Sequence, residues 1–133
     1  MIEANKSFFR KTPAYERMRR FLGSYVSCKK ACEAYLNKND SGFLTGVEKE
    51  FRDAFYDECR QRCRDIEEFI YSVNAEKEER ELLILHYIVG MSIENASERI
   101  YVSRSTAFRI NERAEYKALM HYISVEGKGR NIS

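Results

Sequence analysis

Apolar residues recur at three- and four-residue spacing along most of the chain, and a few polar breaks divide that periodicity into separate helices. Tyr15, Met18, Leu22, Tyr25, Cys32 and Leu36 form one stripe, while Phe21, Cys28 and Tyr35 repeat every seven residues beside it. Thr12 before Pro13 is a strong start signal, because proline at the first helical position has a suitable φ and its missing N–H would lack a partner there anyway. The pattern predicts a helix over 13–36. A polar run from Asn37 to Gly42 interrupts it, and Thr45-Gly46-Val47-Glu48 then matches a capping box. A second helix is predicted over 46–73, with Phe51, Phe55, Cys59, Ile66, Phe69, Ile70 and Val73 along one side. Two such stripes require each other, so 1–75 reads as an antiparallel helical hairpin arm.

The second half predicts three shorter elements. An acidic start at Glu78 leads into the apolar run Leu82 to Val89, which stops at Gly90. Ser92 caps a helix over 93–100 that turns Ile93, Ala96 and Ile100 inward, and Ser103 caps a third, reaching about Tyr122 and burying Ala107, Ile110 and Ala114. Residues 76–123 therefore form a three-helix unit, and 124–133, with Gly127 and Gly129, read as a flexible tail. One proline, six glycines and no tryptophan argue against a turn-rich β fold, and the expected class is all-α.

Charge changes the picture only when it is divided by segment. The formal net charge is +2, too small for general attraction to polyanions. Residues 1–38 carry +6, 39–75 carry −4, 76–102 carry −3 and 103–133 carry +3. The switch to positive charge at Ser103 places basic side chains on the third helix of the three-helix unit, where a local phosphate attraction would be useful. No apolar run approaches the roughly 20 residues a membrane span needs. The opening residues lack a secretory pattern, so a cytoplasmic, reducing location without membrane association is expected.

The layout of 92–114 is that of a helix-turn-helix, in which the first turns of the second helix enter the major groove. Leu82-Leu83-Ile84-Leu85-His86-Tyr87, then Gly90-Met91-Ser92, then Ser103-Arg104-Ser105-Thr106-Ala107-Phe108-Arg109 carry a closer likeness. Over 76–122 the chain resembles region four of sigma-70-type transcription factors and the related small regulators of phages and mobile elements. It departs from them at Tyr101, where the family has glycine, and at Ala96-Ser97, where a bulky residue usually precedes alanine. Tyr101 must then adopt positive φ or the turn must change. The resemblance implies a sequence-specific transcriptional regulator binding double-stranded DNA, with Arg104, Ser105, Phe108 and Arg109 reading base edges. It implies phosphate contacts from Ser92, Ser103, Thr106, Arg113 and Lys117, and RNA polymerase as a further partner. No room for a promoter-melting domain exists upstream of residue 76, so a stand-alone regulator is expected, with the heptad-bearing arm as a homodimer contact.

Other readings compete with this one. A small-terminase-like packaging protein would use the hairpin to assemble a ring around the same DNA-binding unit. A metal- or redox-stapled interaction module would rest on Cys28/Cys32 and Cys59/Cys63, two CxxxC pairs with sulfurs one turn apart. Four thiolates can close a zinc site, and facing pairs can form disulfides. A hairpin turning symmetrically about Ser41, however, sets Cys28 opposite Phe55 and Cys59 opposite Ser24, about 12 Å from level at 1.5 Å per residue. That register favours structural thiols. His86 and His121 lack a ligand partner at i+4, no nucleophile-base set can be assembled, and no phosphate-cradling glycine pattern occurs. Neither an enzyme nor a cofactor is expected.

Overall fold

The computed structural model describes residues 7–37 and 46–127. A 3-10 turn, Ser7–Lys11, leads into α1 (Pro13–Gly23), α2 (Tyr25–Asn37) and α3 (Gly46–Ser72). Then come α4 (Lys77–Leu83), continued by a π-helical stretch Ile84–Val89, then α5 (Ile93–Arg99) and α6 (Arg104–Gly127). The chain is all-α, with no strand among the described residues. No described helix is long and apolar enough to cross a membrane.

Local chemistry sets most of the helix ends. Thr12 Oγ1 accepts from the Tyr15 N–H at 3.1 Å and donates to the Phe9 carbonyl at 2.8 Å, and Pro13 follows it as the first helical residue. Instead of one helix over 13–36 there are two, joined at Ser24, whose hydroxyl donates to the Phe21 carbonyl at 2.7 Å. A serine bonding back onto the preceding turn, next to Gly23, is a recognised source of a bend. Thr45 of the expected capping box lies outside the described residues. Residues 124–127 of the expected tail belong to α6 instead, with Val125 buried and Glu126 in a bidentate pair with Arg17 at 2.8 Å, and 128–133 lie outside the described residues.

The main core takes residues from both halves of the chain. Met18, Phe21 and Leu22 of α1, Ile66, Phe69 and Ile70 of α3, Leu83 of α4 and Ala118, Leu119 and Tyr122 of α6 pack together. The hairpin expectation and the three-helix expectation thus meet in one hydrophobic cluster across the 75/76 boundary. A smaller cluster, Leu82, Ala96 and Ile110 with Leu85 and Ile100 against them, sits between α4, α5 and α6.

α2 and α3 run antiparallel, in a register different from the symmetric one. Tyr25 donates to Glu67, Tyr35 donates to Asp53 at 2.8 Å, and Tyr35 stacks on Tyr56 with ring centroids 4.2 Å apart. These contacts shift α3 by about two helical turns, so Cys28 lies opposite Cys59 and Cys63 rather than Phe55. Phe51 and Phe55, expected on the inner side of this helix, are 74% and 58% exposed. They share a face with Phe69 and Val73, but α1 and α6 cover that face only at the far end of α3, so the stripe outruns its partners.

Candidate nucleic-acid interface

The segment from Ser92 to Arg109 is built by caps at both ends of a tight turn. Ser92 Oγ accepts from the Asn95 N–H at 3.1 Å, and Ile93, Ala96 and Ser97 face inward. After Ile100 the chain reverses at Tyr101, whose φ of 60° makes it the only non-glycine residue with positive φ among those described. The ring is 93% exposed, so nothing in the packing selects tyrosine; the left-handed backbone is held instead by Val102 N–H donating to the Ser97 carbonyl at 3.1 Å and by the docking of α6. Ser103 Oγ then accepts from the Thr106 N–H at 3.2 Å and donates to Thr106 Oγ1 at 2.9 Å, starting α6.

Ala107, Ile110, Asn111 and Ala114 bury the inner face of α6. Arg104, Ser105 and Arg109 are exposed on its outer side, and Arg109 Nη2 reaches Thr106 Oγ1 at 3.3 Å. Ser92 and Ser103 are exposed near them, with their hydroxyls engaged in the two caps. Phe108, also exposed, turns toward a cleft of about 410 Å³ that Arg10, Arg19, His86, Asn111 and Glu115 help to line. The structure therefore separates Phe108 from Arg109, although the two are adjacent in sequence, because successive helical residues point about 100° apart.

Arg113 and Lys117 are placed differently from the phosphate contacts expected of them. Lys117 Nζ lies 2.7 Å from Glu79 Oε1 and Arg113 Nε lies 3.3 Å from Oε2. Glu79 is 3% exposed and also accepts from the Glu76 N–H at 2.9 Å, at the start of α4. Burial opposes its charged form, but the Lys117 ammonium, the Glu76 amide and the Arg113 guanidinium outweigh that and hold the carboxyl below its usual range. The two cations fasten α6 to α4, and the single Glu79 carboxylate offsets one of their two charges where they stand.

A second buried carboxylate holds α6 to the beginning of the chain. Glu115 accepts from Tyr15 Oη at 2.9 Å, Tyr87 Oη at 2.7 Å and Arg10 Nη2 at 2.9 Å. Burial and the Glu115 charge push the Tyr15 phenol up to about 12 and raise Tyr87 as well. His86 closes the end of the π-helical stretch, its Nδ1–H donating to the Met91 carbonyl at 2.7 Å. Glu79 and Glu115 escaped the sequence reading because their side-chain partners lie 28 to 105 residues away and a helical glutamate ordinarily points to solvent. No protein-family model, curated protein or solved structure matches the chain.

Proposed function

We propose that the protein is a sequence-specific DNA-binding transcriptional regulator that reads the major groove with the first turns of α6. The observation that carries this reading is the turn itself. Tyr101 takes the left-handed conformation that the helix-turn-helix reading expects at that position, and Arg104, Ser105 and Arg109 are exposed on the helix that follows. Arg104 and Arg109 have the reach and the planar donor pattern for a guanine edge. Ser92 and Ser103, exposed beside them, are the candidate phosphate contacts, whereas Arg113 and Lys117 serve the α4–α6 junction. With those two cations tied to Glu79, the number of phosphate contacts per protomer is small, and affinity should fall gently with salt.

The test is a salt-titrated selection from randomised duplex DNA, with sequencing of the retained pool. An enriched motif whose preference relaxes in Arg104→Ala, at a cost of about 1–3 kcal/mol on the selected site, supports the reading. No enrichment and no salt-sensitive binding overturns it. Val47, Phe51 and Phe55, exposed at four-residue spacing on α3, favour a second copy of the chain as a further partner. A dimer in solution that dissociates in Phe51→Ser fits the regulator; a ring of many copies favours the packaging reading.

A further inference from the structure

The four cysteines stand apart from the proposed DNA-binding face and call for their own account. Cys28 and Cys32 are half-buried, one turn apart on α2, and Cys59 and Cys63 are buried, one turn apart on α3. The register set by Tyr25 with Glu67 and Tyr35 with Asp53 turns the two pairs toward each other. Cys63 Sγ donates to the Tyr25 carbonyl at 4.0 Å, one turn before Cys28, and Cys28 packs against the core that contains Cys63. The Cys28 thiol is within hydrogen-bonding reach of Cys59, and Cys32 lies near enough to act on both buried thiols through its charge. Burial, with these neighbouring sulfurs, pushes Cys59 and Cys63 up to about 11, so both are S–H at neutral pH. Among the described residues no group of three or more Cys, His, Asp or Glu is arranged to hold a metal ion. The chemistry open to thiols that face one another without a metal is disulfide formation.

We propose that α2 and α3 carry a dithiol–disulfide site in which Cys28 and Cys59 form the cross-link, with a small-molecule disulfide as oxidant. Half-buried Cys28 is the accessible nucleophile. As thiolate it attacks one sulfur of the oxidant, forming a mixed disulfide and expelling a thiolate, which takes up the proton Cys28 has lost. Cys59 then gives its proton to solvent and attacks Cys28 Sγ, expelling the second half of the oxidant, which is protonated in turn. Two protein thiols have lost two electrons, and one external disulfide has become two thiols. The consequence falls on α2, which fully buries only Tyr25 and so is lightly held while the thiols are reduced. A covalent link just under one turn beyond that anchor removes its freedom to lift from α3.

The sequence makes the connectivity readable, because Lys29 and Lys30 separate Cys28 from Cys32, and Arg60 and Arg62 separate Cys59 from Cys63. Trypsin therefore places each cysteine in its own peptide. The reduced full-length protein is treated with glutathione disulfide under native conditions and then mapped by mass spectrometry. Two thiols should disappear with no glutathione retained on either, and the Cys28 peptide should be recovered bound to the Cys59 peptide. Cys59→Ser should stop at glutathione on Cys28, and amide exchange in α2 should slow at least tenfold in the oxidised parent. Cys28 and Cys59 thiols that stay free until denaturant is added, an adduct that persists on Cys28 of the parent, a different intramolecular pair, or links only between chains would each overturn the proposal. If Cys59→Ser fails to fold by circular dichroism, the parent's peptide map and exchange rates decide the matter.

Discussion

Tyr101→Gly is expected to stabilise the protein, even though it removes a large aromatic side chain. With φ at 60°, the backbone sits in the left-handed region, which costs a residue bearing a Cβ about 1–2 kcal/mol. Glycine is free of that cost but adds freedom to the unfolded chain, which returns about 0.5–1 kcal/mol. Removal of the phenol forfeits almost no burial, since the residue is 93% exposed. The balance is a gain of about 0.5–1 kcal/mol, or a rise in Tm of about 2–5 °C for a domain of this size. Chemical unfolding followed by far-ultraviolet circular dichroism measures it, with an unchanged denaturant slope showing that the unfolded state is not the source. Tyr101→Val provides the opposite arm, because a β-branched residue tolerates positive φ worst and should be less stable than the parent. A glycine variant less stable than the parent, or a valine variant equal to it, would refute the assignment of strain to this turn.

The buried carboxylates and the end of the π-helical stretch give further expectations. Because the Glu79 carboxyl is held below its usual range, its contribution to stability is fully present above about pH 4.3, the unfolded value, and is lost as pH falls through the lower folded value. Glu79→Gln should lower stability by about 1–2 kcal/mol at neutral pH and flatten the acid limb of a Tm-against-pH curve. Glu115→Ala strands the hydroxyls of Tyr15 and Tyr87 and the Arg10 guanidinium together, and should cost about 3–5 kcal/mol by denaturant titration. Gly90→Ala places a Cβ 3.3 Å from Val26 Cγ2 at a φ of 90°, and a loss of about 1–2 kcal/mol should appear as a lower Tm.

The features legible in the sequence are those written within about one turn of chain. Thr12-Pro13, Ser92, Ser103 and Gly90 mark helix ends with groups that bond residues three to six positions away. Three-four spacing put Met18, Leu22, Ile66, Ile70, Ala107, Ile110 and Ala114 on inner faces, where they lie. The turn at Tyr101 was legible only through the helix-turn-helix resemblance, whose glycine position it occupies, as either positive φ or an altered turn. Where a stripe finds a partner is not a local property. Phe51 and Phe55 share the spacing of Phe69 and Val73, yet α1 and α6 reach only the latter pair, and no residue within α3 records the length of its neighbours. The candidate site divides in the same way. Arg104 and Arg109 are outward by helical phase alone, whereas Arg113 and Lys117 differ only in having Glu79 within reach across the α4–α6 junction.

What the sequence by itself determined is the set of helices, their caps and their apolar faces, because backbone geometry and hydrogen bonding act between near neighbours. The tertiary structure decided the register of α2 on α3, and with it the meeting of the four cysteines, through aromatic and carboxylate contacts between residues 18 to 42 positions apart. It also decided which glutamates are buried and which basic residues are compensated. Helix periodicity leaves sliding of one helix along another undetermined, so only contacts distant in sequence can choose among registers of equal local quality.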